Sequence, residues 1–489
     1  MKNIAKTLKE RLQWVNFRAN CLFPCYINGN NNQIISFQNY WRWKRKVNVK
    51  AHLVLRSEDS SIVSQKEFDI NSHNEISIKK EFELINFKGM VSVEIYSTEN
   101  IRFPYPAVTC FYENNKGKLI SCVHAASRLL NFNEKVNRTE FSESNFLCRY
   151  NENFEPFFFC FSGSFSNHFF NSYKFKIYND EYKLLLSKKV NLKFEKPFSS
   201  RILYLSEIFS KKDLKKVWNK KFFIKIQFNV IGAFGRLIVG NYDKKFDALF
   251  TTHTLNSFEE LKAKKSFIPK QKSLDANILM SLISNDPLRL EINKYPINDK
   301  AKITFNSKIS KKPQEVYQKI KNKYQVKSGY GGKIFSQKLD GNKSLLIYAN
   351  QKTPDRFFVT ANYYLKNSRH PTDMAWGFHT STLKPKFNHW GQSVCKKGFD
   401  TYLLIRNTSH NFSKSKNAKC LISVFNNSKK ITKKRIVKGN SYDVVKFDNL
   451  DEKLKSNYFS WNLRTSNGDL EVLWVAFSEN GAICGDHSY

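Results

Sequence analysis

The sequence predicts an all-β fold of about four tandem antiparallel β-sandwich units with short connecting helices. Three observations predict it. Apolar runs of strand length recur along the chain and are separated by turn residues. A chain of 489 residues exceeds what one core organises, at roughly 100–200 residues per domain. A hairpin-like pattern closing on histidine occurs four times. It is clearest in Arg236–Thr254, RLIVGNYDKKFDALFTTHT, returns at Arg356–Thr380 and Leu470–Ser488, and fits Arg102–Ala125 more loosely. In each copy an apolar run ends on an aromatic (Tyr112, Tyr242, Tyr363, Phe477) and a polar turn follows. A second apolar run then closes on His124, His253, His379 or His487. Successive histidines are 129, 126 and 108 residues apart, a spacing that suits sandwich-sized units.

Taken in order, residues 1–29 form an N-terminal helix and lead-in, the helix being basic and amphipathic in MKNIAKTLKERLQWVNF. It suits packing or contact with a membrane surface. Unit 1 spans 30–128. Its Phe37–Lys50 segment alternates aromatics with bases, as a strand with rings inward and cations outward would. The alternative is a basic-aromatic patch, Tyr40, Trp41, Arg42, Trp43, Lys44 and Arg45, that stacks bases and meets phosphates. Strand-like runs follow from His52–Leu55 to Ile120–Val123, and Ala126–Asn145 reads as helix or loop. Unit 2, 145–255, holds the aromatic run Phe154–Phe165, a short helix within Ser206–Lys221, and strands at Phe222–Phe228 and Arg236–Asn241. Unit 3, 270–381, is entered by a helix at Ser257–Ala263 and contains another at Pro313–Tyr324, with Pro at its start. Gly329–Gly332 is a flexible turn, since no Gly-Lys-Ser/Thr context makes it a phosphate loop. Unit 4, 385–489, gives seven strand candidates between Thr401 and Cys484.

Charge is the most unusual bulk property: 81 basic against 42 acidic residues, a net +39. One reading is a polyanionic partner, whether nucleic acid, acidic glycan or membrane surface. The other is a compositional bias that raises Lys, Asn, Ile and Phe together, with lysines scattered and clustered only briefly, as at Lys211–Lys221 and Lys429–Lys434. No window approaches the roughly 18 apolar residues of a membrane helix, so no transmembrane segment is expected. Met1–Ala19 lacks the apolar core of a secretory signal. The nine cysteines include no CxxC pair, and Cys110 and Cys122 lie on the two arms of the first hairpin, in a position to face each other. They read as reduced, buried residues of a cytoplasmic protein. No cofactor is expected.

Two constellations carry chemistry. If the units pack about a pseudo-symmetry axis, His124, His253, His379 and His487 converge on a metal or an anion. If not, a strand-end histidine followed by Thr or Ser bonds a neighbouring loop. The second constellation is His370, Asp373, Trp376, His379, His389 and Trp390, a ligand-binding patch in which rings stack on sugars and polar groups orient them. No nucleophile elbow, Walker loop, Rossmann fingerprint or HExxH is present. The expected function is a non-enzymatic binding or scaffold protein for a glycan or protein ligand. The alternatives are a nucleic-acid-binding protein with a basic surface, and a metal-dependent or carbohydrate-active enzyme centred on the His-rich segment of unit 3.

The segment TYLLIRNTSHNFSKSKNAKCLISVFNNSKKITKKRIVKGNSYDVVKFDNL, followed by GDLEVLWVAFS, resembles the soluble transducers of microbial sensory rhodopsins. The resemblance covers about 80 of the 489 residues and rests on strand patterning. It implies a small β-sandwich, a homotetrameric assembly linked to light signalling, and contact with DNA. A four-unit chain is then a covalent analogue of that tetramer. The family's DR and Pro-Val positions and its lack of N-terminal extensions are not matched.

Overall fold

The computed structural model describes residues 18–97, 106–116, 118–129, 139–163, 171–179, 183–194, 196–230, 233–256, 277–284, 289–294, 303–306, 335–339, 343–349, 356–379, 386–407, 416–439, 441–447, 454, 456–468 and 470–489. The fold is all-β, as the apolar runs predict, and its strands fall into four successive groups. The first contains β1 (Arg18–Ile27), β2 (Asn31–Gln38), β3 (Lys50–Ser57), β4 (Ile62–Asp69), β5 (His73–Ser77), β6 (Phe87–Tyr96), β7 (Thr109–Asn114), β8 (Leu119–His124) and β9 (Ser127–Leu129). The second contains β10 (Thr139–Cys148), β11 (Phe154–Phe161), β12 (Asn171–Asn179), β13 (Leu184–Leu192), β14 (Ser200–Tyr204), β15 (Phe222–Val230), β16 (Ala233–Gly235), β17 (Ile238–Asp243), β18 (Ala248–His253) and β19 (Leu255–Asn256). The third has β20 (Asn277–Ser284), β21 (Arg289–Lys294), β22 (Ile303–Asn306), β23 (Phe335–Leu339), β24 (Lys343–Ala349), β25 (Arg356–Tyr364) and β26 (Met374–His379). The fourth has β27 (Asn388–Val394), β28 (Phe399–Asn407), β29 (Ala418–Phe425), β30 (Lys430–Val437), β31 (Ser441–Lys446), β32 (Tyr458–Thr465), β33 (Leu470–Ser478) and β34 (Ile483–His487).

Each group makes two antiparallel sheets, and the strand order repeats. The first group gives β9–β1–β6–β3–β4, with β16 added outside β9, and β5–β2–β7–β8. The second gives β19–β10–β15–β12–β13 and β14–β11–β17–β18. The fourth gives β27–β32–β29–β30 and β31–β28–β33–β34. Numbered within its group, with β16 counted in the first group's sheet and not in the second group, each follows one order, 1–6–3–4 in one sheet and 5–2–7–8 in the other. The third gives β20–β24–β22 and β23–β21–β25–β26, the same order with one place unfilled among the described residues. Groups one and two form one compact unit, and groups three and four another.

Burial explains the sequence pattern. β11 (FEPFFFCF) is buried along its whole length, so it reads as a continuous apolar run with no alternation. Phe157, Phe158 and Phe159 are fully inside, and Phe158 lies 4.8 Å from the Phe175 ring. In the fourth group Trp461 and Trp474 fill the core, and Tyr402 stacks on Phe477 at 5.5 Å. Burial of one such ring contributes roughly 4 kcal/mol or more before entropy is charged. Gly240 on β17 allows the closest approach: a Cβ there would sit 1.8 Å from the Phe250 carbonyl oxygen.

Several expectations need correction. Arg18–Ile27 belongs to the first sheet as β1, not to a lead-in, because it pairs along its whole length with β6. Phe37–Lys50 is not one strand: β2 stops at Gln38 and Trp41–Arg45 makes a π-helical turn ended by Lys46 at φ 61°. Ala126–Asn145 contains β9 and the start of β10 in place of a helix. Ser206–Lys221 carries two one-turn helices, α2 (Leu205–Ile208, after α1 at Ile78–Glu81) and α3 (Lys211–Leu214), the latter capped by Ser210 accepting the Asp213 N–H at 3.2 Å. Cys110 and Cys122 are one residue out of register, since Cys110 faces Val123 and Phe111 faces Cys122. All nine cysteines are buried and unbridged. Burial pushes the Cys110 thiol up to about 12, consistent with a packing role. The helices expected at the N-terminus, at 257–263 and at 313–324, and the 329–332 turn, lie outside the described residues.

Candidate functional site

All four histidine-ending patterns are antiparallel hairpins, and each histidine stands at the end of the second arm. His124 faces Thr109, His253 faces Ile238, His379 faces Arg356 and His487 faces Leu473. Two of the described side chains share a geometry. His253 Nδ1 lies 2.8 Å from the carbonyl oxygen of Thr254, and His487 Nδ1 lies 3.1 Å from that of Ser488. A carbonyl only accepts, so in each of these two contacts it is Nδ1 that donates. This is the loop-bonding role open to a strand-end histidine. It is also the second-shell arrangement that metal-binding histidines use.

In the first compact unit the structure brings His124 and His253 together. Both are buried, and their rings meet edge to face with centroids 4.5 Å apart. They belong to equivalent strands, β8 and β18, which pack against each other. Two imidazoles are half of a four-ligand zinc site. The hairpins are tied by side chains reaching backbone. Ser121 Oγ donates to the Leu249 carbonyl at 2.7 Å, Asn114 Nδ2 to that of Phe246 at 2.7 Å, and Asn31 Nδ2 to that of Asp247 at 2.5 Å.

Asp247 is the hub of this junction. It occupies the β17–β18 turn at φ 55°, a conformation Asp tolerates better than most residues. Its carboxylate accepts from Tyr26, from Tyr242 at 2.6 Å and from Asn28 at 2.6 Å. Burial and these bonds push the Tyr26 and Tyr242 hydroxyls well above the usual phenol range. A cavity beside it, lined by Tyr26, Asn31, Tyr112, Ser121 and Phe250, has a volume of about 10 Å³, room for a single water. Sequence reasoning missed this hub. The signal available was the Asp in the KKFDA turn, flanked by the aromatic Tyr242.

The second unit has its own hairpin junction. Asn367 Nδ2 donates to the Glu479 carbonyl at 2.7 Å, and Gly481, at φ 84°, leaves only 2.6 Å for a Cβ beside the Asn367 oxygen. The predicted ligand patch draws on two strand groups. His370 is buried in the β25–β26 connection, its Nδ1 2.7 Å from the Pro371 carbonyl, and Asp373 is half-buried nearby in sequence. Trp376 and His379 lie on β26, and their side chains are outside the described residues. His389 and Trp390 belong to β27 of the next group and pair with β32. There they meet the C-terminal residues: His389 Nδ1 is 2.9 Å from Ser488 Oγ, and Trp390 is 6.4 Å from Tyr489. Lys386 Nζ lies over the Trp390 ring at 5.9 Å and reaches Ser488. Burial, reinforced by Lys386, holds His389 well below the usual imidazole range.

The basic-aromatic patch is also split, by the π-helical turn. Tyr40 and Trp41 turn inward, Trp41 being 1% exposed and packed on Tyr40 and Phe37. Arg42 and Lys44 face solvent and Trp43 is half-buried. A helical turn cannot keep rings and cations on alternate faces as a strand does. The Arg45 side chain lies outside the described residues.

No family model matches the chain, and no curated protein matches it. Solved structures align only loosely. The native conformation of Escherichia coli alpha-2-macroglobulin aligns at 9% identity over 96% of this chain and 28% of that one, with a TM-score of 0.10. The trypsin-activated form of the Escherichia coli protein aligns at 8% identity over 95% and 37%, with a TM-score of 0.10. A tetra-tandem repeat from the extending region of a large adhesion protein aligns at 7% identity over 90% and 91%, with a TM-score of 0.08. The chain thus spans about a third of the length of the two macroglobulins.

Proposed function

We propose that the chain is a non-enzymatic binding or scaffold protein made of one sandwich module used four times. The observation that carries this reading is the strand order 1–6–3–4 and 5–2–7–8, complete in three groups and followed in the third. Modules joined through equivalent hairpins make a rigid frame, because side chains such as Asn31, Asn114 and Ser121 bond the backbone of the neighbouring hairpin. Under this reading the repeated histidines are fold elements that lock the strand end to the next carbonyl. The resemblance to sensory rhodopsin transducers then extends to four copies in one chain, standing in for a tetramer of single modules. Nine buried, unbridged thiols suit a cytoplasmic setting.

The test is to incubate the full chain with acidic and neutral glycans, nucleic acids and candidate proteins, measuring binding by interferometry and ligand mass afterwards. A bound, chemically intact ligand is expected. Turnover of any ligand overturns the reading in favour of an enzyme. A second reading, nucleic-acid binding, is favoured by one observation, the charge of the sheet that contains β30.

A further inference from the structure

The sheet β27–β32–β29–β30 carries no acidic residue on any of its four strands, yet it holds Lys419, Lys430, Lys433, Lys434, Arg435 and Arg464. Its companion sheet has the opposite balance, with Asp400, Asp443, Glu471 and Asp486 against Arg406 and Lys446. The group is therefore electrostatically two-sided, which a general surplus of lysine does not produce. Register places the cations. Leu421 faces Lys434 on one side and Arg464 on the other, Lys419 faces Ile436, and Phe425 faces Lys430. Because strand side chains alternate, Lys419, Lys430, Lys434 and Arg464 share one face, and all four are exposed.

We propose that the exposed half of this face, toward the β30 edge, binds a nucleic acid duplex through its phosphates. Two further features select this occupant. Thr432 and Asn462 sit on the same face between the cations, and hydroxyl and amide groups beside Lys and Arg are the usual phosphate and sugar contacts. The rings on the face are not displayed for base stacking: Trp390 is buried and Phe425 half-buried, so the face suits a fixed array of phosphates over a splayed single strand. This inference rests on reading the chain as a binding protein.

The test uses the full chain, a 30-base-pair duplex of arbitrary sequence, heparin, and vesicles containing anionic lipid. Removing two phosphate contacts in Lys430→Gln/Lys434→Gln should lower the salt slope of duplex binding by about two. The affinity gap between parent and variant should then shrink about tenfold from 50 to 200 mM salt. An unchanged unfolding midpoint will show that the variant is folded. Lys66→Gln, on the equivalent but ion-paired edge strand of the first group, should bind as the parent does. Equal duplex binding by parent and double variant overturns the inference. Binding of heparin or vesicles without the duplex also overturns it and leaves the binding-protein reading standing. Cleavage of the duplex overturns both.

Discussion

Strands β4 and β30 hold the same place in their groups, the outer edge of the 1–6–3–4 sheet, yet they treat charge in opposite ways. On β4 the bases and acids answer each other. Lys50 on β3 pairs with Glu67 and reaches Asp69 at 3.8 Å, Lys66 meets Glu81 at 2.5 Å, and the Tyr96 hydroxyl donates to Glu67. On β30 four cations stand in eight residues, and one carboxylate, Asp443, approaches Arg435 at 3.7 Å. Both strands are strongly exposed, and both use charge to keep an open edge from pairing with another chain. The difference teaches that the frame is common and the surface is not.

That comparison assumes a frame strong enough to hold both edges in place, and the largest effects come from breaking it. Gly240→Val puts a branched side chain where a Cβ alone would lie 1.8 Å from a carbonyl oxygen. A loss of more than about 3 kcal/mol is expected, read as a large fall in the denaturant midpoint. Next comes Asp247→Ala, which leaves the donors of Tyr26, Asn28 and Tyr242 without their shared acceptor. A loss of about 2–4 kcal/mol is expected in chemical denaturation. A neutral result would show that the hairpin junction does not hold the first two groups together.

Much of the frame was legible in the sequence because its signals are local. The hairpins ending in His124, His253, His379 and His487 show as apolar run, turn and apolar run. The burial of β11 shows as an unbroken aromatic run. What did not show depends on where separate segments meet. Tyr26 and Asn28 lie more than two hundred residues from Asp247 in sequence, and only folding makes them one cluster. The same holds for His389 with Ser488. The segment His370–Trp390 reads as continuous in sequence, whereas its residues belong to two strand groups, β25–β26 and β27. The acid-free sheet was hidden for a related reason: its four strands are spread over about 80 residues, and their charges add only once β27, β29, β30 and β32 are aligned.

Proton linkage sharpens the contrast between the two units. Tyr26 and Tyr242 have hydroxyl pKa values raised in the fold, so they stay protonated where unfolded tyrosine ionises. The stability they contribute is complete below about pH 10 and is lost as pH rises beyond it. Thermal melts should therefore fall on the alkaline side, less steeply in Tyr26→Phe. His389 works in the other direction. Its pKa is depressed in the fold, so its contribution is present above about pH 6.5 and declines as acid protonates the unfolded state preferentially. His389→Gln should flatten the acid limb of the same melts. An acid limb identical to the parent's would mean that His389 does not titrate as its burial beside Lys386 requires.

The smallest effect falls on β4 itself. Lys50 and Glu67 are each about half exposed, at 49% and 47% of their side-chain surface. Exposed pairs contribute little, because water screens the attraction and ordering two long side chains costs entropy. Glu67→Gln should therefore leave the melting temperature within about 1 °C of the parent. Its informative readout is binding. If β4 is electrically closed because Glu67 holds Lys50, removing that carboxylate frees one cation on β3, beside an edge equivalent to β30. Duplex affinity at low salt should then rise slightly, by less than about threefold, with a salt slope steeper by no more than about one. A rise as large as the loss in Lys430→Gln/Lys434→Gln would place the binding charge on both edges. The contrast between β4 and β30 would then be one of degree.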